Sequence, residues 1–248
     1  MDLGIEGRTA AVAAASAGLG YASASALAAE GVRVAICGRD QARVDDAAAR
    51  IGHDAVSLVV DVGHPDGAMQ FVQEATSALG HLDILVTNAG GPPPGTFAST
   101  DFDAYAPALA LNLLSVVAMC KAAVPAMQQR GWGRVVAITS IAVRQPIDSL
   151  ILSNTARTGA TGFLKTLARE VARDGVTVNS VQPGSHATDR MKTLYGDDLS
   201  GAARSIPAGA LGQPEDFGAF VAFLCSEHAK FVTGTAVNVD GGSYAGLQ

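Results

Sequence analysis

Ser153 and Arg157 stand four residues apart in "LILSNTAR" (150–157), a spacing that stacks both side chains on one face of a helix. Ser140 lies thirteen residues upstream, and His186 and Thr188 follow the Pro183-Gly184 turn. Serine hydroxyls can orient or polarise a substrate oxygen, and a guanidinium supplies a fixed positive charge. Neither ionises near neutral pH: the hydroxyl is too weak an acid and the guanidinium stays protonated. A proton must therefore come from water, from the substrate or from His186, whose ordinary pKa suits acid–base work. Asp148 and Arg144, between the two serines, and Tyr195 further on are candidates to line the same cleft, or are ordinary loop residues.

A second group of residues suits phosphate. A strand-like run leads into "AAASAGLG" (13–20) and then a helical pattern. Gly18 and Gly20 let the backbone approach a pyrophosphate, and the helix N-terminus offers unpaired N–H groups. Ala14, Ser16, Ala17 and Leu19 complete this loop, with Ser16 adding a hydroxyl. The second strand ends in "CGRD" (37–40), where an acidic residue would bond a ribose 2′-hydroxyl. Gly38 takes that place and Arg39 follows, and a guanidinium matches a 2′-phosphate, so NADP(H) is expected over NAD. Asp61 ends the third strand, where it either reaches the adenine amino group or serves a turn.

The elements that must position these residues alternate regularly. Strand patterns fall at 8–15, 32–37, 55–60, 82–87, 133–139, 176–182 and 236–240. Helical patterns lie at about 19–30, 41–51, 66–79, 102–130, 150–173 and 215–226. Such alternation predicts an α/β, Rossmann-like, doubly wound parallel sheet of about seven strands with helices on both faces. With no linker or second composition regime, residues 1–248 read as a single dinucleotide-binding domain. The stretch 185–213 lacks periodicity and is placed as a substrate lid at the carboxyl end of a strand.

Composition narrows the class. Only 16% of residues are charged and 48% are hydrophobic, the usage of a buried parallel sheet. The net charge is −6 without a basic block, so neither nucleic acid nor a membrane surface is expected as a partner. The Ala-rich start resembles a signal peptide, but Asp2 and Glu6 make it acidic and glycines interrupt it, so a cytoplasmic protein is expected. No apolar run reads as long enough for a transmembrane helix. Cys37, Cys120 and Cys225 are odd in number and set in apolar runs, as reduced core thiols are. No spacing suggests a metal site.

Along essentially its whole length the sequence resembles the short-chain dehydrogenase/reductase superfamily. The resemblance rests on "AAASAGLG", "DV" (61–62), "TNAG" (87–90), "LNLLS" (111–115), "ITS" (138–140), "PGSHATD" (183–189) and "VDGG" (239–242), in family order. It implies that Asp61, Val62, Asn88, Ala89 and Gly90 serve the adenosine side, and that Pro183, Gly184 and Thr188 hold the nicotinamide half. It further implies that Asn112 organises a water chain and that Ser140 orients the substrate. Two departures stand out. The loop that usually opens Thr-Gly reads Ala13-Ala14, and the family's Tyr-x-x-x-Lys aligns on Ser153-Asn-Thr-Ala-Arg157. Arg157 keeps a positive charge and a ribose contact, whereas Ser153 cannot replace the tyrosine's proton unaided.

The resemblance implies an NADP(H)-dependent oxidoreductase acting on a small-molecule carbonyl, imine or alcohol, with Ser140, Ser153, Arg157, Asn112 and His186 as catalytic candidates. Polarised or cationic acceptors are expected to suit it better than simple ketones. The alternatives are a non-redox lyase, dehydratase or isomerase, and a nucleotide-sensing protein with little catalysis. A homo-oligomer, dimer or tetramer, is expected through the helices at 102–130 and 150–173.

Overall fold

The computed structural model describes residues 1–191, 196 and 199–247. Its strands are β1 (Thr9–Val12), β2 (Arg33–Gly38), β3 (Val56–Val59), β4 (Ile84–Thr87), β5 (Gly133–Ile138), β6 (Val176–Pro183) and β7 (Ala236–Val239). All pair in parallel, in the order β3-β2-β1-β4-β5-β6-β7. Strands this buried are Val-, Ile- and Ala-rich because both faces are covered by helices. Successive residues point to opposite faces, so Ala11, Leu85 and Val135 join one core layer. Ala10, Ile84 and Val136 join the other.

The first layer packs under α3 (Pro65–Leu79) and α5 (Ser115–Arg130), with Phe71, Met119 and Met127 fully buried. The second packs under α1 (Gly18–Ala29), α2 (Gln41–Ile51) and α8 (Pro214–Cys225), around Leu27, Ile36 and Phe217. Each such side chain contributes roughly 1.5–3 kcal/mol on burial. A Cβ at Gly218 would collide with the Ala22 carbonyl, so glycine lets α1 and α8 approach closely. Cys37, Cys120 and Cys225 are free and buried, and burial pushes each thiol up to about 12.

The expected long helix at 102–130 is segmented. A 3-10 turn (Phe102–Ala104) leads to α4 (Tyr105–Leu109), a π turn (Ala110–Leu114) and α5, which stops at Gly131 with φ +68°. A π turn widens the helix locally and re-aims side chains. Here Asn112 points inward, buried, and its Nδ2 donates to the Gly90 carbonyl at 3.0 Å. The run Phe102–Arg130 is long and apolar enough, by length and composition, to cross a membrane, contrary to the sequence expectation. Half of its most apolar stretch is buried against the rest of the fold.

Helix α6 spans Ile151–Val171 and begins beside the Pro/Gly loop after β4. Gly95 N donates to Ser149 O at 2.7 Å, and Ile151 N donates to Gly95 O at 3.2 Å. This clasp fixes where α6 starts. The stretch read as a lid carries α7 (Ser200–Arg204) and is tied back by Ala187 N donating to Gly212 O at 2.9 Å.

Candidate active site

Chain connections diverge on either side of β1 and β4, which are neighbours in the sheet. A crevice opens beyond the carboxyl ends of such strands. Here it is a cavity of about 390 Å³, within the range of small-ligand sites. Its wall includes Ala17, Gly18, Leu19, Asn88, Ala89 and Gly90 on one side. Ser140, Ser153, Arg157, Pro183, Gly184, His186 and Thr188 line the other.

The loop between β1 and α1 is shaped by three residues. Gly18 has φ +61°, where glycine carries no Cβ penalty. At Gly20 a Cβ would lie 2.8 Å from both the Ala14 carbonyl and Asn88 Nδ2, so only glycine fits. Ala14 holds φ +48°, the left-handed region, in the place where the resembling family has glycine. An L-residue there costs roughly 1–2 kcal/mol. Neighbours hold it: Ala14 N donates to Cys37 Sγ at 3.3 Å, and Asn88 Nδ2 donates to Ala14 O at 3.2 Å.

At the end of β2, a Cβ on Gly38 would come within 3.2 Å of Ser16 Cβ, so the two residues meet across the strand ends. Arg39 is exposed just beyond and does not line the cavity. Arg43, which the sequence reading passed over, does line it. Arg39 precedes the Asp40 cap and α2 begins only at Gln41, so helical spacing from Arg39 gave no signal for Arg43. Asp40 caps α2 by accepting from Arg43 N at 2.9 Å. Asp61 accepts from Gly63 N at 2.9 Å, which is a turn role, and Val62 is core.

A dinucleotide fits these residues. Glycine keeps side chains out of the α1 entrance, and no side chain caps α1 among the described residues, so its first N–H groups face the cavity. Thr188 sits over Gly18, 3.7 Å from the position a Cβ would take there.

At the other end, α6 presents Ser153 and Arg157 on one face, as their spacing requires, and both line the cavity together with Ser140. Ser153 is only 7% exposed. Ser140 Oγ accepts from Ala142 N at 3.1 Å, which leaves its O–H to donate into the cavity. Arg157 Nη1 donates to the carbonyls of Ile138 (3.0 Å) and Thr139 (3.2 Å), clamping the guanidinium to the end of β5. Desolvation, and then the nearby Arg190 charge, lower its pKa to about 10. It is still a cation at neutral pH.

His186 is brought to the cavity wall but is 4% exposed and packed edge-on to Phe217, with ring centroids 5.2 Å apart. A Cβ on Gly212 would lie 2.7 Å from its Nε2. Its Nδ1 lies 3.2 Å from the Gly184 carbonyl, which can only accept, so Nδ1 carries the proton. Desolvation lowers its pKa, against smaller upward effects of that bond and of Asp216.

Three expectations about lining residues are corrected or fall elsewhere. Arg144 turns away from the cleft and donates to Ala236 O at 2.7 Å, on the β7 side of the sheet. Asp148 is exposed and does not line the cavity, while its neighbours Ile147 and Leu150 do. Tyr195 lies outside the described residues. Arg190, missed in the sequence because its segment has no periodicity, lines the cavity and donates from Nη2 to Pro92 O at 3.1 Å.

Residues 13–244 match the family model described as Enoyl-(Acyl carrier protein) reductase. The chain is 33% identical over 242 residues to the 3-oxoacyl-acyl-carrier-protein reductase of Salmonella typhimurium, covering 98% of this chain and 99% of that protein. It is 35% identical over 242 residues to dehydrogenase/reductase SDR family member 4 of Oryctolagus cuniculus, covering 95% and 93%. Among solved structures, the L-sorbose reductase of Gluconobacter frateurii complexed with NADPH and L-sorbose superposes with a TM-score of 0.93 at 31% identity, covering all of both chains.

Proposed function

The chain belongs to the short-chain dehydrogenase/reductase superfamily and is an oxidoreductase, and we propose that it uses NADP(H) on a small-molecule carbonyl, imine or alcohol through an active site in which Ser153 and Arg157 replace the usual tyrosine and lysine. The observation that carries the cofactor choice is the end of β2, where Gly38, Ser16 and Arg39 stand where an acid would hold a ribose diol. Arg43 adds a guanidinium that lines the cavity itself. The similar sorbose reductase, solved with NADPH, supports the same choice. The redox names of the relatives favour this reading over a non-redox lyase or a sensor.

When bound, the cofactor supplies or accepts a hydride at the substrate carbon. The α1 loop and Thr188 would hold its phosphates and amide half, and Asn112 fixes the Gly90 wall between them. Ser140 donates its hydroxyl proton in a hydrogen bond to the substrate oxygen, and Ser153 orients that oxygen from α6. Arg157, clamped by two carbonyls, presents a fixed positive charge that stabilises a developing alkoxide in a site of low dielectric. His186 is neutral at neutral pH and its one N–H is engaged, so the proton consumed in reduction enters from water along the serines. Assembly as a dimer or tetramer in the cytoplasm belongs to the same reading.

Calorimetric titration tests it. NADPH is expected to bind at least tenfold more tightly than NADH, since a charged phosphate contact is worth on the order of 1.5–3 kcal/mol. Arg39→Ala and Arg43→Ala should each narrow the gap. Equal affinity for both nucleotides, or binding of neither, would overturn the proposal.

A further inference from the structure

The cavity is cationic in a protein whose net charge is −6. Of the arginines that line it, Arg43 lies at the adenosine end, while Arg157 and Arg190 flank the serines' end. Asp189 is the one carboxylate among the described lining residues, and its side chain is exposed. Among the described residues neither Arg157 nor Arg190 has a carboxylate within ion-pairing distance. Their hydrogen bonds go to neutral carbonyls: Arg157 to Ile138 and Thr139, Arg190 to Pro92. A guanidinium has five N–H donors in a planar fork, so most of each fork is left for a ligand.

The fold keeps these like charges together. Arg157 is clamped at the end of β5, and Arg190 lies over Gly91, where a Cβ would sit 2.8 Å from its Nη2. Two partly buried cations in a site of low dielectric repel one another strongly. The Arg190 charge adds to desolvation in lowering the Arg157 pKa. An anion between them would reverse the sign of both interactions and fill planar donor forks with the acceptor geometry they match best.

We propose that the cleft selects substrates bearing a carboxylate, seated between Arg157 and Arg190, with the reacting carbon held next to Ser140 and Ser153. This deepens the proposed function and rests on it. Anchoring the carboxylate places a neighbouring carbonyl against the serine hydroxyls. Arg190 is thereby a specificity-determining residue.

The other source of an anion is the cofactor's own pyrophosphate, and the test separates the two. Malonate and its uncharged analogue malonamide are titrated calorimetrically into the free protein and into protein saturated with NADP+. With NADP+ bound, malonate is expected to bind at least tenfold more tightly than malonamide. Arg190→Gln, on a surface segment, is expected to cut that preference below threefold while leaving the circular dichroism spectrum unchanged. Equal binding of the two probes overturns the proposal, as does a malonate preference that NADP+ abolishes, which would assign the pair to the cofactor's phosphates. If NADP+ itself fails to bind, the cofactor reading fails; the malonate preference in the free protein then still decides for or against the anion seat.

Discussion

The two ends of the sheet treat arginine in opposite ways. At the amino ends of β1, β4 and β5, Arg8 and Arg134 stack on Trp132, with guanidinium carbons 3.9 and 4.2 Å from ring centroids. Trp132 Nε1 donates to Glu227 at 2.6 Å, and Arg134 lies 3.7 Å from the same carboxylate oxygen. Arg8 and Arg130 lie 3.9 and 3.8 Å from the buried Asp83, which also faces His81 at 3.1 Å. Arg8, Arg130 and Arg134 there each lie within 4 Å of a carboxylate, whereas Arg33 donates to the Leu79 carbonyl. At the carboxyl ends, Arg157 and Arg190 line one cavity and, among the described residues, bond only neutral carbonyls. Charge matched within the fold is costly to unpair, and charge left unmatched in a cleft is available to a ligand.

Truncation should break this symmetry first. Arg134 is 2% exposed and fills space between Trp132 and the Gly133 carbonyl, so Arg134→Ala should cost about 3 kcal/mol through the cavity, the lost stacking and the lost hydrogen bonds. Arg190→Ala should change stability by no more than about 0.5 kcal/mol, because nothing in the fold depends on its charge. Chemical denaturation of both variants reads the difference; equal losses would mean that both ends are structural.

A smaller effect is expected from His186. Its pKa in the folded protein lies below the ordinary imidazole value of 6.5, owing first to desolvation. Between that lowered value and about 6.5 the unfolded chain binds more protons, so stability is complete above this window and falls as pH drops through it. His186→Phe should flatten the loss of stability between neutral and mildly acid pH in urea titrations. It should leave the rate profile above neutral pH unchanged if the imidazole delivers no proton.

The smallest effect sharpens the loop end of the same cleft. Ala14→Gly removes a left-handed strain of roughly 1–2 kcal/mol but adds about 0.5–1 kcal/mol of unfolded-chain freedom. The net is a stabilisation of about 0.5 kcal/mol, readable as a small rise in Tm. A clear destabilisation would show that the Cβ packs usefully against Cys37 and Asn88.

Much of the architecture was legible because it repeats. Each of the seven strand patterns overlaps an observed strand, with β2 and β6 running one residue past theirs, since buried parallel strands need apolar runs flanked by turns. The glycines at 18 and 20 and the four-residue step from Ser153 to Arg157 were likewise local signals, fixed by backbone sterics and helix pitch. The π turn at Ala110–Leu114 was not legible, because "LNLLS" carries a helical pattern whichever hydrogen-bond spacing it adopts. Nor was the turning away of Arg144, which depends on a carbonyl ninety-two residues later.

By itself, then, the sequence determined the parallel α/β layers, the glycine-lined loop after β1 and the four-residue step from Ser153 to Arg157. These follow from residue types and short-range spacing. The tertiary structure alone decided that His186 is buried edge-on against Phe217, that Arg43 rather than Arg39 lines the cavity, and that Arg157 and Arg190 line it together. Each of those depends on which distant segments desolvate a side chain or bring a second charge beside it, and neither burial nor Coulomb interaction between remote residues is written in local pattern.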